Sequence, residues 1–383
     1  MNNTTPKQIG DYHKKQIIST LREKGPTSRV ELSLLLGISP PAITRNTSQM
    51  LENGIIRECG TELSAMGRKP VLIELCDDFA YVLGMDIVGS TIKFALADFT
   101  GKVVKYDEEP VRREKDADAV LEQLIAALKR TAAESGISRE KIWVATVGTP
   151  GIFDSDTGTS RFSTFLEGWD NIDIRQKIHE ALDMEVMIEN DVTLDVVGES
   201  WKGAGKDCDN ILYVKLGQGL AARVVLQGSL IRGEHKMAGE IGYMLPGPRE
   251  NGALNYENLL RNEAVSRKYT GLGGTGKANT ISELYALANN GDDIAKAVMC
   301  HLLDQFAVVL LNSVTVLDSQ IIILGGDACC FAEPEITVLK ERMEQNFPLS
   351  QNIIISELNR KACLYGAVKT GLDRIDDRIA DIW

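Results

Sequence analysis

Several segments of this 383-residue chain end an apolar run in glycine or a carboxylate. Val82-Leu83-Gly84-Met85-Asp86-Ile87 carries an internal Asp86, and Ile142 to Val147 leads into Gly148-Thr149-Pro150-Gly151. Val186-Met187-Ile188 leads into Glu189-Asn190-Asp191, Ile211 to Leu216 into Gly217-Gln218-Gly219, and Ile321 to Leu324 into Gly325-Gly326-Asp327. Glycine lacks a Cβ and lets backbone N–H groups come close to a phosphate. A carboxylate in the same turn can hold or deprotonate a hydroxyl. Strands finishing in such turns point to a ligand cleft at those ends.

A second group suits different chemistry. Ile43, Thr47, Met50 and Leu51 recur at helical spacing and form one buried stripe, which leaves Pro41, Ala42, Thr44, Arg45, Ser48 and Gln49 outward. Small and polar residues with one Arg are the side chains that read base edges and phosphates.

The elements that must position this face are short. His13 to Lys24 reads as a helix stopped by Gly25-Pro26. Ser28-Arg29-Val30-Glu31 fits a capping box opening a second helix, with Val30, Leu32, Leu35 and Leu36 on its apolar side and Gly37 at its end. Ser39-Pro40-Pro41 starts the third, with Ser39 as N-cap. The Gly37-Ile38-Ser39 link makes a helix-turn-helix. Ile55-Ile56-Arg57 and Val71 to Leu75 read as a two-stranded wing, with Arg68 and Lys69 of Gly67-Arg68-Lys69-Pro70 at its tip, suited to a minor groove or to phosphates. A helical module serving only for docking is the plainer alternative.

Beyond Tyr81 strands alternate with helices, including Ile92 to Asp98 and a helix over Ala117 to Glu134, which implies α/β layers. The expected division is a DNA-binding domain over 1–78 and a two-lobed effector-binding domain over 79–383.

Composition agrees with a local DNA contact. The net charge of −12 argues against a surface that coats nucleic acid. Residues 1–75 carry ten basic and seven acidic side chains, so a head of +3 sits on a body of −15. No apolar run approaches the roughly 20 residues of a membrane span, and residues 1–10 lack a signal-peptide core. Seven scattered cysteines without a C-x-x-C pair suit reduced thiols. These features predict a cytoplasmic chain without membrane contact.

The order of the segments resembles the ROK family of repressors and sugar kinases, on the actin-like ATPase fold, over nearly the whole chain. Gly84 to Ser90, with Asp86, Gly89 and Ser90, is similar to the first phosphate loop, Gly217 and Gly219 to the second, and Gly325-Gly326 to the adenosine-side turn. Gly148, Pro150 and Gly151 are similar to the sugar-side turn, and Asn190-Asp191 to the segment holding the kinase base. Arg232-Gly233-Glu234-His235 through Gly239-Glu240-Ile241-Gly242 resembles the signature region. The winged head is similar to that of the repressor branch.

The departures are specific. Val88 stands where kinases of the family have Gly, and Ala221-Ala222 where they have further Gly. Tyr243 replaces the signature His, Asn255 falls about where a sugar-binding Glu belongs, and Phe165 about where a sugar-contacting Asn belongs. The family's cysteine zinc loop is missing, and zinc needs about four N or S ligands, so no metal and no cofactor are expected. Asp191 is then a vestigial base. The resemblance implies a transcriptional regulator, most simply a repressor of carbohydrate-metabolism genes. Its partners are a double-stranded DNA operator, a small sugar-like effector and a second copy in a homodimer or larger assembly, with a protein inducer as an alternative. The effector residues implied are Gly148, Pro150, Gly151, Asn190, Asp191, Glu240, Tyr243 and Asn255. An ATP-dependent sugar kinase with an accessory head is the rival. Plainer roles stay open too: Asp191 capping a helix, Glu240 pairing internally, Asp86 serving the fold, and His235 lying on a loop.

Overall fold

A computed structural model of the chain describes residues 6–61, 70–88, 91–112, 116–154, 159–161, 168–247, 255–358 and 360–381. Gly67, Arg68, Lys69, Gly89, Ser90 and Phe165 lie outside them.

The head runs α1 (Pro6–Lys24), β1 (Thr27–Ser28), α2 (Arg29–Leu36), α3 (Pro40–Glu52), β2 (Ile56–Thr61) and β3 (Val71–Leu75). Helix α1 starts well before His13, because Pro6 suits a first helical turn while the polar residues after it carry little apolar periodicity. Ser28 Oγ accepts from the Glu31 N–H at 3.3 Å and caps α2, and Gly37 ends it at φ 64°. Leu32 is buried, but Val30 and Leu35 are exposed, contrary to the expected apolar side. An eight-residue helix presents too few turns to bury more than one stripe. Ser39 precedes α3 with its carbonyl accepting from the Ala42 and Ile43 N–H groups, while its side chain makes no cap bond. The wing has three strands rather than two, in the order β1-β3-β2, because Thr27 and Ser28 pair with Ile73 and Leu72.

The body contains β4 (Tyr81–Val88), β5 (Thr91–Asp98), β6 (Val103–Pro110), α4 (Ala117–Glu134) and β7 (Ile142–Thr149). Then come β8 (Ile152–Asp154), β9 (Thr159–Arg161), α5 (Ile174–Leu182), β10 (Glu185–Asn190) and α6 (Asp191–Lys202). A second lobe follows with β11 (Ile211–Leu216), β12 (Leu220–Leu226), β13 (Ser229–Ile231), α7 (Tyr256–Leu260), α8 (Asn262–Gly271), α9 (Ile281–Asn289) and α10 (Asp293–Leu317). The chain ends with β14 (Ile321–Gly326), α11 (Glu333–Glu344), β15 (Ile353–Ile355) and α12 (Ala362–Asp381).

The two five-stranded sheets repeat one plan. In the first, β10, β7 and β4 are parallel and β4-β5-β6 is an antiparallel meander. In the second, β15, β14 and β11 are parallel and β11-β12-β13 is the meander. Helix α6 leads from the first sheet to the second, and α12 returns to lie against β4, β5 and β7. The α6–α12 crossing is close because both helices offer glycine: a Cβ on Gly198 would collide with the Ala362 carbonyl, and one on Gly366 with the Leu194 carbonyl.

The far end of α12 holds the head. Ile17, Ile18 and Leu21 of α1 share one apolar core with Leu32, Ile43 and Met50 and also with Val82, Ala95, Val368, Leu372, Ile375 and Ile379. Each Ile, Leu, Val and Met among them contributes roughly 1.5–3 kcal/mol of burial. Arg22 donates two hydrogen bonds to Asp376, at 2.7 and 2.8 Å, with both side chains under a tenth exposed. Burial pushes the Asp376 carboxyl up, against the pull of Arg22. Helix α10 is long and apolar enough to cross a membrane, a composition at odds with the expectation that no run approached that length. It packs against α8, α9 and α11 in the core of the second lobe.

Candidate DNA-reading face and interlobe cleft

Helix α3 buries Ile43, Asn46, Thr47 and Met50, while Leu51 is half-buried. Ser39, Pro41, Thr44, Arg45 and Gln49 are exposed, and Ala42 and Ser48 are half-exposed. The expected outward face is therefore outward. Thr47 Oγ1 accepts from Arg29 Nε at 3.1 Å, and Arg29 also reaches Glu58 at 3.2 Å, so α3 is fixed to the helix before it and the wing behind it. Arg68 and Lys69 of the wing tip lie outside the described residues.

The interlobe cleft is built where β10 ends and α6 begins. Asn190, rather than Asp191, caps α6: its Oδ1 accepts from the Thr193 N–H at 3.0 Å. Its Nδ2 donates to the Gly151 carbonyl at 2.8 Å and to Asp191 Oδ1 at 3.2 Å, tying the Pro150-Gly151 turn to the helix. Asp191 faces Lys215 at 2.8 Å, and Lys215 reaches Asp195 at the same distance. Asp86 is fully buried close by, beside the Cys363 thiol. Burial pushes its carboxyl up to about 7, partly countered by Lys215. Burial opposes the Lys215 charge, but Asp191, Asp195 and Asp86 outweigh it and hold the ammonium well above its ordinary value.

Several of the expected effector residues also make contacts within the chain. A Cβ on Gly148 would lie 2.6 Å from Cys363 Sγ and 3.1 Å from Leu194, so this glycine serves packing. Asn255 caps α7, accepting from the Asn258 N–H at 3.1 Å. Two residues on, Glu257 is the carboxylate beneath the Gly217-Gln218-Gly219 turn, accepting from the Leu220 N–H at 2.7 Å, and burial pushes its carboxyl up. Tyr243 is 57% exposed and stands at the rim. Glu240 pairs internally, with Arg223 at 2.9 Å. His235 is exposed on a loop.

Two of the nucleotide-side turns pack closely against the chain around them. Asp327 lies against Gly217, where a Cβ would be 3.1 Å from its Oδ2, and accepts from Asn262 at 2.7 Å, Ser282 at 2.9 Å and Arg360 at 2.9 Å. A Cβ on Gly325 would collide with the Tyr213 hydroxyl. Gly326 turns at φ 68° against the Leu216 carbonyl. Among the described residues no cluster of His, Cys, Asp and Glu has metal-holding geometry.

Sequence reasoning missed Lys215 and Arg223. Their signal was present: each is a lone cation inside an apolar strand, Ile211–Leu216 and Leu220–Leu226. A cation in such a place needs a buried partner.

A sequence model described as ROK family matches residues 82–370, and one described as winged helix-turn-helix DNA-binding matches residues 11–57. The chain is 23% identical to a xylose repressor of Caldicellulosiruptor bescii, over 96% of each. It is 26% identical to a glucokinase of Thermotoga maritima, over 77% of this chain and 98% of that one. Among solved structures, a ROK family transcriptional regulator described as a homologue of E. coli MLC superimposes with a TM-score of 0.79 at 19% identity, covering 98% of both chains.

Proposed function

The chain belongs to the ROK family, and from that membership we propose a DNA-binding transcriptional repressor of carbohydrate-metabolism genes whose kinase-like body senses a sugar or sugar derivative. The observation that carries this reading is the polar, outward face of α3 on a head joined to the body through α1 and α12. We assign DNA contacts to Ser39, Pro41, Ala42, Thr44, Arg45, Ser48 and Gln49, with Arg68 and Lys69 added by the wing. Residues 1–78 form the reading unit and 79–383 the sensing unit. The protein works in the cytoplasm as a homodimer or larger assembly on a two-fold operator, with half-sites a whole number of helical turns apart. A ligand in the cleft favours one lobe arrangement, and α12 carries that preference to α1, which changes operator affinity.

A sugar kinase with an accessory head is the competing reading, and the presence of Asp191 favours it. Against it, Lys215 occupies an Asp191 oxygen that an acceptor hydroxyl would need, and Val88 and Ala221-Ala222 stand where kinases of the family have Gly. Phosphoryl transfer depends on positioning groups around the phosphates, which those side chains oppose. Two measurements test the proposal. Operator affinity measured by fluorescence anisotropy shifts when a cleft ligand is added, and unchanged affinity at saturation contradicts the sensing role. ADP release over a panel of sugars stays at background, and sustained turnover contradicts the absence of catalysis.

A further inference from the structure

The chain passes between the lobes twice, once after α6 and once between β15 and α12. One carboxylate fastens both passages. Glu199, near the end of α6 and fully buried, accepts from the Ala204 N–H at 2.9 Å in the first. In the second it accepts from the Ser356 hydroxyl and from the Leu358 N–H, the latter at 3.4 Å. Two passages fastened at one point leave the lobes free chiefly to turn about it. Helix α12 lies against β4, β5 and β7 of the first lobe, against α6, and against α1 of the head. A turn of the second lobe therefore reaches α12 chiefly through the passage that leads into it.

Arg360, in that passage, is gripped from both sides. Its Nη2 donates to Asp327 Oδ1 at 2.9 Å and to Ser282 Oγ at 2.8 Å, both in the second lobe. Its carbonyl accepts from Nζ of Lys93, on β5 of the first lobe, at 2.6 Å. The next residue, Lys361, stands over the Tyr106 ring of β6, 4.7 Å from its centroid. Asp327 is only 12% exposed and also accepts from Asn262 at 2.7 Å, so its position follows the second lobe. The backbone of Arg360 is left-handed at φ 61°, a region that residues other than glycine seldom occupy. Such a conformation persists where surrounding contacts over-determine it, and here those contacts come from opposite lobes. When the lobes part, one of them must break, and the backbone is then free to relax. The Arg360 side chain is nearly half exposed, and an ion pair of that kind is weak, as a contact that must open requires.

Building on the sensor reading above, we infer that Arg360 is an interlobe latch: with Asp327 on one side and Lys93 on the other, it joins the second lobe to α12. Its release frees the first turns of α12 and, through that helix, shifts the head.

The test uses the full-length protein and four variants. Arg360→Ala removes the guanidinium, Arg360→Lys keeps a cation near Asp327, Lys93→Met frees the Arg360 carbonyl, and the double variant joins Arg360→Ala to Lys93→Met. Amide hydrogen exchange read by mass spectrometry reports the opening of each segment. In Arg360→Ala the amides of 365–368 exchange about fivefold faster, the step that one partly exposed ion pair gives. Those of β4 and β11 keep the wild-type rate. Arg360→Lys lies close to the wild type, and the double variant is no faster than the faster single one, because both grips serve one latch. Affinity for the duplex enriched by selection from random DNA shifts several-fold in Arg360→Ala and not in Arg360→Lys, although neither change touches α3. Unchanged exchange at 365–368 overturns the inference. So does faster exchange at β4 and β11 as well, which makes Arg360 a support of the whole fold, and so does a double variant whose effect is the product of the two single ones. Faster exchange with unchanged operator affinity overturns it too, because the latch then does not reach the head. If no duplex is enriched, the repressor reading fails, while the exchange rates still decide the latch.

Discussion

Lys215 and its three aspartates set the chemistry of the lobe junction. One ammonium stands among Asp86, Asp191 and Asp195, and only the last two meet it directly. Asp86 keeps its proton to about pH 7, whereas an unfolded Asp loses it near pH 4. Between those values the folded state binds a proton that the unfolded state lacks, so stability falls as pH rises through the window and levels above it. Asp86→Asn removes this loss: urea titrations should find the variant gaining on the wild type from about pH 4 to about pH 7. A difference between variant and wild type that does not grow over that range contradicts the assignment. Residues of this kind were only half legible in the sequence. Asp86 was marked as a carboxylate inside an apolar run and Asp191 by its position after a strand, but the partner that engages Asp191 comes from another strand. Asn255 was legible only as a residue type: that it caps α7, two residues before the half-buried Glu257, depends on packing that periodicity does not show.

At the scale of elements, α3 and α12 carry the account. Helix α3 was readable because its apolar stripe has helical period and its start is marked by Ser39-Pro40-Pro41. Its outward Arg45 is exposed, so Arg45→Ala should leave thermal stability within about 0.5 kcal/mol. The same change should weaken operator binding and lower the slope of log K against log salt by about 1 if Arg45 meets a phosphate. A base contact would instead relax specificity at one position. Unchanged affinity and specificity would remove α3 from the interface. Helix α4 was equally legible, since Asp116 caps it and its apolar positions recur without a break. Helix α2 was legible in its ends, Ser28 and Gly37, but not in its buried face, because Val30 and Leu35 satisfy the period yet face solvent. The third wing strand was hidden too, since Thr27-Ser28 is too short to show any alternation.

Over the whole molecule, the unforeseen feature is that head and body share one core. A helix of 20 residues spans about 30 Å. Helix α12 therefore begins beside the Asp191–Lys215 pair and ends under α1. That arrangement depends on a contact between the two ends of the chain, which local periodicity cannot reveal. The repeated plan of the two sheets was also obscured, because β13 and β15 have three residues each. Asp376→Ala leaves Arg22 buried without its carboxylate and should cost about 3–5 kcal/mol in urea unfolding. The paired change Arg22→Met with Asp376→Leu should recover most of that loss, yet operator affinity should cease to respond to a cleft ligand if the ion pair couples the units. A double variant that responds as the wild type does would show that coupling does not need this pair.

The central claim is that the chain reads DNA as a symmetric assembly. Selection from random duplex DNA with the purified full-length protein, repeated at two salt concentrations, tests it most directly. The account predicts enrichment of one two-fold-related site, with affinity falling as salt rises. Absence of any enriched site, with and without candidate sugars, would contradict it and return the cleft to an enzymatic reading.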